Sequence, residues 1–348
     1  MSSSGKILGG VVVLWLVLIT FLHGTLNLHL FEPKGSRANT PFRVGFIPVT
    51  CHLTCPVTDF INKQMKGSSE FEPVRFQGFP EVKEAFISGY LPATFLLAPL
   101  AMRLREDGVP IKIVYLGHRD GSAMVVHRES QIYRIEDLRG KTVAVPNRFS
   151  NQKLLVVKAL KERGVPLDSV RIVEIAPPDM PAALYSKAVD AITSGEPFMG
   201  QAEMEGYGRV LYLTKDVWPN FISCVLAVRE DAIRDRRQTV QRLVDGIAKS
   251  GKWLDQTMEH RMEAADFVGE NYYNQNPQLL RFVLSKPPDR VKYTNLTVRK
   301  NDFLEIEALA KETGVLQGKV TFEDYADPSF VPSEASIEPY AWDYKNKK

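Results

Sequence analysis

Apolar and polar positions divide this chain into three patterns. Residues 7–22 are an uncharged apolar run without periodicity. From residue 42 to about residue 228, short apolar runs alternate with longer amphipathic stretches. Beyond that, Val240, Leu243, Val244, Ile247, Gly251, Leu254 and Met258 recur at helical spacing, which predicts one long amphipathic helix that must pack on something. Shorter helices are expected over 262–268, 278–284 and 302–311, and the tail 325–344, rich in Pro, Asp and aromatics, reads as a loop wrapping the surface.

The middle pattern opens with Val44, Phe46, Ile47 and Val49, a buried strand after Pro41. A polar loop over residues 50–55 follows, and Pro56 fits the first turn of a helix through Phe60, Ile61 and Met65. Strands are then expected at 70–76, 93–97 and 111–116, with helices at 80–87 and 100–106 stopped by Gly89 and Gly108. A strand at 123–127 leaves this series and a second one begins: strands at 142–145, 170–175, 189–192 and 210–213, helices at 151–163 and 180–187. The run 221–228 reads as a return strand. Such alternation predicts an α/β protein with mostly parallel sheets flanked by helices. The second series is thus an insertion, giving two lobes and a two-stranded hinge: 1–39 as anchor and linker, 40–124 and 220–348 as lobe I, 125–219 as lobe II.

Length agrees, since 348 residues exceed what one core usually holds. A net charge of +3 without a basic face argues against nucleic acid, and Arg234, Arg236 and Arg237 read as a solvated helix face. Residues 7–22 after Lys6 fit an export signal or short membrane span. The bulky stretch 23–29 has no A-x-A-like cleavage site and no cysteine to carry a lipid. This predicts an uncleaved anchor, with Lys6 cytoplasmic and the rest periplasmic or otherwise extracytoplasmic. Cysteines there are in a disulfide-permissive compartment. Cys224, inside FISCVLAV, reads as a small buried hydrophobe.

Loops at the carboxyl ends of parallel strands are where open α/β sheets bind ligands, so residues 50–55 are the first candidate wall. Cys51, His52 and Cys55 allow three readings: a Cys51–Cys55 disulfide stapling the loop, a soft-metal site, or a ligand wall of Thr50, Cys51, His52 and backbone amides. In the loop 147–152, Ser150 or Asn151 can cap the next helix, whose free N–H groups would face a ligand. Arg119 and Arg148 are the candidate partners for an anion, and His118 is the histidine nearest the expected cleft; His127 and His260 read as structural. No P-loop is present, which fits a component that uses no nucleotide itself.

The succession VGFIPVT, EAFISGYLPATFLLAPLAM, GHRDGSAMVV, EDLRGKTVAVP, DAITSGEPF and YADPSFVP resembles the solute-binding proteins of nitrate/sulfonate/bicarbonate (taurine-type) ABC transporters over about residues 42–332. The resemblance implies a periplasmic-binding fold of the second type, closing on a small ligand and working with a permease and an ATPase on other chains. It puts Ser150, Asn151 and Gln152 among the ligand contacts from lobe II, Gly121 and Ser122 at the lobe crossing, Glu196 after the strand DAIT and Pro99 at the cleft floor. YLPAT stands where the family commonly has an acidic E-L-D-A segment, and the cysteine–histidine loop is unusual for it. The ligand is expected to be a small anion, a sulfonate or a small heterocycle, with the cysteine loop weighing against the simple oxyanions. No cofactor and no catalysis are expected; the alternatives are an enzyme related to thiamine-pyrimidine synthases, which share this fold, or a metal-binding protein using Cys51, His52 and Cys55.

Overall fold

Val44 and Phe46 point into the core of strand β1 (Phe42–Phe46), and the chain turns at Pro48 into a short 3-10 turn, Thr50–His52, and then helix Thr54–Lys66. This computed structural model describes residues 3–22, 41–333 and 338–342. It divides into two units, Met1–Pro41 and Phe42–Lys348. In the first, helix Ser3–Leu22 leaves Val12, Leu14, Trp15 and Phe21 exposed, and among the described residues no helix is long and apolar enough to cross a membrane. The expected linker before residue 40 and parts of the tail, 334–337 and 343–348, lie outside the described residues.

The second unit carries two five-stranded sheets. In the first, β2 (Phe71–Arg75), β1 and β3 (Ala93–Leu97) are parallel, and β11 (Cys224–Arg229) runs antiparallel between β3 and β4 (Ile111–Leu116). In the second, β8 (Arg171–Glu174), β7 (Thr142–Val145) and β9 (Ala191–Gly195) are parallel, and β6 (Ser122–His127) runs antiparallel between β9 and β10 (Gly208–Leu213). Each sheet therefore has the same plan: four strands in one direction and one reversed. The reversed strand is in each case the one arriving from the other sheet. A small pair, β5 (Arg119–Asp120) with β12 (Val291–Lys292), sits at the crossing and was not foreseen, being too short to carry a pattern.

The long C-terminal helix is Glu230–Gln256, broken at Arg236 by a non-helical φ of −136°. It lies against helix Thr54–Lys66, where Thr58 Oγ1 and Ser250 Oγ are 2.7 Å apart. A satellite core of Trp253, Phe267, Tyr273 and Trp342 backs the same helix. Gly251 is required for this approach: a Cβ there would stand 2.1 Å from the Tyr293 carbonyl oxygen. Backbone cannot yield as a side chain can, so Gly251→Ala is expected to cost about 1–3 kcal/mol in urea unfolding. An unchanged midpoint and slope would show that the helix and the Tyr293 segment slide apart freely.

Candidate ligand cleft

The crossing between the sheets is made by two consecutive left-handed residues, Asp120 (φ 62°) and Gly121 (φ 66°). At Gly121 the glycine is needed twice, for its φ and because a Cβ would stand 2.7 Å from the His118 ring. Five segments meet here through their backbones. The Asp120 N–H donates to the Phe221 carbonyl at 2.8 Å, Gly121 N–H to Arg290 at 2.8 Å, Glu196 N–H to Gly121 at 3.0 Å and Thr50 N–H to Glu196 at 2.7 Å. The Thr50 to Glu196 bond joins the loop after β1, on one sheet, to the loop after β9, on the other.

Side chains continue this seam. Ser150 caps helix Asn151–Glu162 by accepting the Lys153 N–H at 3.1 Å. That places Asn151 and Gln152 on the first turn, facing the return strand. The Asn151 amide nitrogen donates to the carbonyls of Ile222 and Ser223, the latter at 3.3 Å. Since carbonyls can only accept, the orientation of this amide is settled. Gln152 Nε2 lies 3.1 Å from both Ser122 Oγ and Ser223 Oγ. Thr50 Oγ1 is 3.2 Å from His118 Nε2, and the phenol of Tyr293 donates to the Thr50 carbonyl at 3.1 Å. Pro99, in the first turn of helix Ala98–Glu106, is buried beside this region, where the Ala98 N–H reaches the Ser223 carbonyl.

Thr50, Cys51, His52, Ser122, Ser150, Asn151, Gln152 and Glu196 are all at most 2% exposed. Several buried polar atoms at the seam have no hydrogen-bond partner within the protein, acceptors and donors both: Asn151 Oδ1, Gln152 Oε1, Glu196 Oε1, His52 Nε2, His118 Nδ1 and Arg290 Nε and Nη1. Burial lowers the basicity of His118 to about 3, with His52 adding to the effect, so it is neutral here. Burial raises the Glu196 carboxyl, against the pull of Arg290, whose Nη1 stands 3.4 Å away and whose Nη2 pairs with Glu203 at 2.6 Å.

Three sequence-based expectations need correction. Arg119 is committed to Asp302 at 2.6 Å and to the carbonyls of Asn295 and Asn220. Arg148 is exposed and paired with Glu174 at 2.7 Å, so neither arginine is held ready for an anion at the seam. Cys51 and Cys55 are not bonded; both are free thiols. The start of helix Thr54–Lys66 rotates Cys55 away from Cys51 towards Asp59, and burial followed by the Asp59 charge pushes its thiol up. In its place Cys224 is the neighbour of Cys51, with the sulfurs 2.8 Å apart, and His52 completes a buried group whose candidate ligand atoms lie within 4.8 Å. A metal set of Cys51, His52 and Cys55 is thereby replaced by Cys51, His52 and Cys224. Ser223, Arg290 and Tyr293 were missed, because each reaches the seam from far along the chain with no local motif. His260 is structural as expected, stacked on Trp253 at 4.5 Å.

Two α/β lobes meeting on a buried polar seam define a periplasmic-binding-protein fold. Residues 35–269 match the NMT1-like family, and the chain belongs to it. Among curated relatives are the nitrate import ATP-binding protein NrtC and the bicarbonate transport ATP-binding protein CmpC of Synechocystis, each 24% identical; the matches span 66% of this chain but only 37% of the length of those relatives. Among solved structures, the ligand-binding component of a Staphylococcus aureus ABC-type import system with zinc bound has a TM-score of 0.75 at 24% identity, over 84% of this chain and 98% of that one. The periplasmic nitrate-binding protein NrtA of Synechocystis has a TM-score of 0.75 at 14% identity, over 84% and 87%. The periplasmic aliphatic sulphonate binding protein SsuA of Escherichia coli reaches 0.67 at 17%, over 87% and 95%. The desulfurization enzyme DSZB shares the fold with a TM-score of 0.59 at 16% identity, over 84% and 97%.

His118 makes the seam sensitive to acid. Its folded value near 3 lies below the ordinary 6.5, so between them the unfolded chain takes up a proton that the folded chain does not. Stability therefore falls as pH drops from about 6.5 towards 3. In His118→Gln the loss over that window should be shallower, by up to about 1.4 kcal/mol per pH unit, in urea unfolding at stepped pH. Parallel curves for the two proteins would show that His118 is protonated when folded.

Proposed function

We propose that this chain is the extracytoplasmic solute-binding component of an ABC importer. Lobe I, residues 40–124 and 220–348, and lobe II, residues 125–219, close on a small solute that is handed to a permease and driven by an ATPase, both on other chains. Membership of the NMT1-like family supports this, as do neighbours that are mainly binding proteins. The same neighbours favour binding over catalysis. Tethering through the N-terminal segment rests on the apolar run 7–22, which carries no charge after Lys6.

The solute we infer is neutral and rich in N–H donors, such as a small heterocycle, rather than nitrate or a sulfonate. The observation that carries this is Asn151: its amide nitrogen is committed to two carbonyls and its Oδ1 is buried without a partner. Gln152 lies beside it on the same helical turn, while Arg119 and Arg148 are paired elsewhere. Buried acceptors without partners cost about 1–3 kcal/mol each, and a donor-bearing ligand would relieve that cost. Thr50, Cys51, His52, Pro99, Gly121, Ser122 and Ser150 would shape the rest of the site.

Native mass spectrometry of the full chain, purified without added ligand, tests this by identifying the bound compound. A neutral N–H-bearing solute is expected, with Asn151→Ala and Gln152→Ala each weakening its binding roughly tenfold in protein that is less stable but still folds cooperatively. Tight binding of nitrate or an alkanesulfonate instead would overturn the ligand class, and loss of all binding by neither variant would remove both residues from the site.

A further inference from the structure

The contact between Cys51 and Cys224 is not used by solute binding. One thiol belongs to the turn after β1 and the other opens β11, 173 positions later. Their sulfurs are 2.8 Å apart, closer than two sulfurs that merely pack, and both residues are 1% exposed. Backbone fixes the pair from behind: Gly117 donates its N–H to the Cys224 carbonyl at 2.9 Å, and a Cβ on Gly117 would stand 2.3 Å from the Cys51 carbonyl oxygen.

A shared metal fits this geometry poorly. Two thiolates on one zinc-like ion sit about 2.3 Å from it, so a tetrahedral site separates them by roughly 3.8 Å. His52 is held through Nδ1, which lies 2.8 Å from the Ile47 nitrogen and 3.1 Å from the Ile47 carbonyl oxygen. The arrangement suits thiol chemistry instead. Burial opposes ionisation of Cys224, but the Cys51 S–H and the His52 imidazole outweigh it and hold that thiol below its ordinary value, while Cys51 is pushed up.

We propose that Cys51 and Cys224 form a disulfide in the exported protein, leaving Cys55 as the one free thiol. The oxidant is a protein or small-molecule disulfide of the oxidising compartment, acting on the folding chain. One thiol gives up its proton and attacks an oxidant sulfur, expelling the other as a thiolate that takes a proton. The second protein thiol then attacks the mixed disulfide, its proton passing to the second oxidant sulfur. Two protein thiols are oxidised and one external disulfide becomes two thiols. The new bond ties the turn carrying Thr50, which hydrogen-bonds to Glu196 across the seam, to the strand end carrying Ser223, which holds Gln152. It thus braces the lobe I side of the cleft. Oxidation in the cell rests on the extracytoplasmic reading; the pairing itself rests on geometry.

The full chain, unfolded in reductant and refolded in a glutathione redox buffer, is alkylated under denaturing conditions and mapped by peptide mass spectrometry. A Cys51–Cys224 linked peptide with only Cys55 alkylated is expected. In the same preparation, reductant should lower the unfolding temperature of the wild-type chain by several degrees and leave Cys224→Ser unmoved. Three alkylated cysteines, a Cys51–Cys55 link, or a stoichiometric metal retained with all thiols reduced would each overturn the proposal, whether or not the variant folds. Rapid alkylation of the chain in intact cells separates the two readings. A linkage that forms in glutathione but is absent from cells overturns the extracytoplasmic location and leaves the pairing standing.

Discussion

The backbone hydrogen bond from Thr50 to the Glu196 carbonyl is the contact on which the cleft depends, because it joins the loop of one sheet to the loop of the other. Around it the structure buries polar groups that an apolar core would not tolerate. The cost is limited by committing almost every backbone group at the crossing to another crossing segment. Part of what remains unpaired belongs to the first turn of helix Asn151–Glu162, and part to His52, His118, Asp120 and Arg290 around the crossing. In the proposed function the residues that would bind the solute are also the ones that join the two sheets, which makes closure and recognition one event.

Much of the architecture was legible in the sequence because strands buried on both faces read as unbroken apolar runs. Val44–Ile47, Ala93–Leu97 and Ile113–Leu116 announce themselves that way, and Gly89 and Gly108 mark helix ends by needing a positive φ. The long helix was visible from its period, but its break at Arg236 was not, because nothing in the residues around it is a helix breaker. At the cleft, Ser150, Asn151 and Gln152 were readable because a cap has a local signature. Arg290, Ser223 and Tyr293 have none; their roles come from pairings across the whole chain.

The cysteines show the same limit most sharply. Spacing made Cys51 and Cys55 look like partners, and an apolar neighbourhood made Cys224 look inert. Four residues of separation across the start of a helix carry two side chains to different surroundings, and β11 delivers Cys224 to the place Cys55 has left. Sequence proximity is a poor guide wherever a turn becomes a helix. Burial of Cys224 was the part the pattern could support, and Cys51 and Cys55 proved buried as well.

The matching plan of the two sheets also sets the order in which the chain can complete itself. Every strand of the second sheet lies between Ser122 and Leu213, so that sheet can assemble from one continuous segment as it leaves the ribosome. The first sheet cannot, because β11 must fill the gap between β3 and β4 and is the last of its strands to be made. Until then β3 and β4 each present an unpaired inner edge. The inserted lobe is thus the part of the protein that can stand first, and the lobe that begins the fold is the one that finishes it.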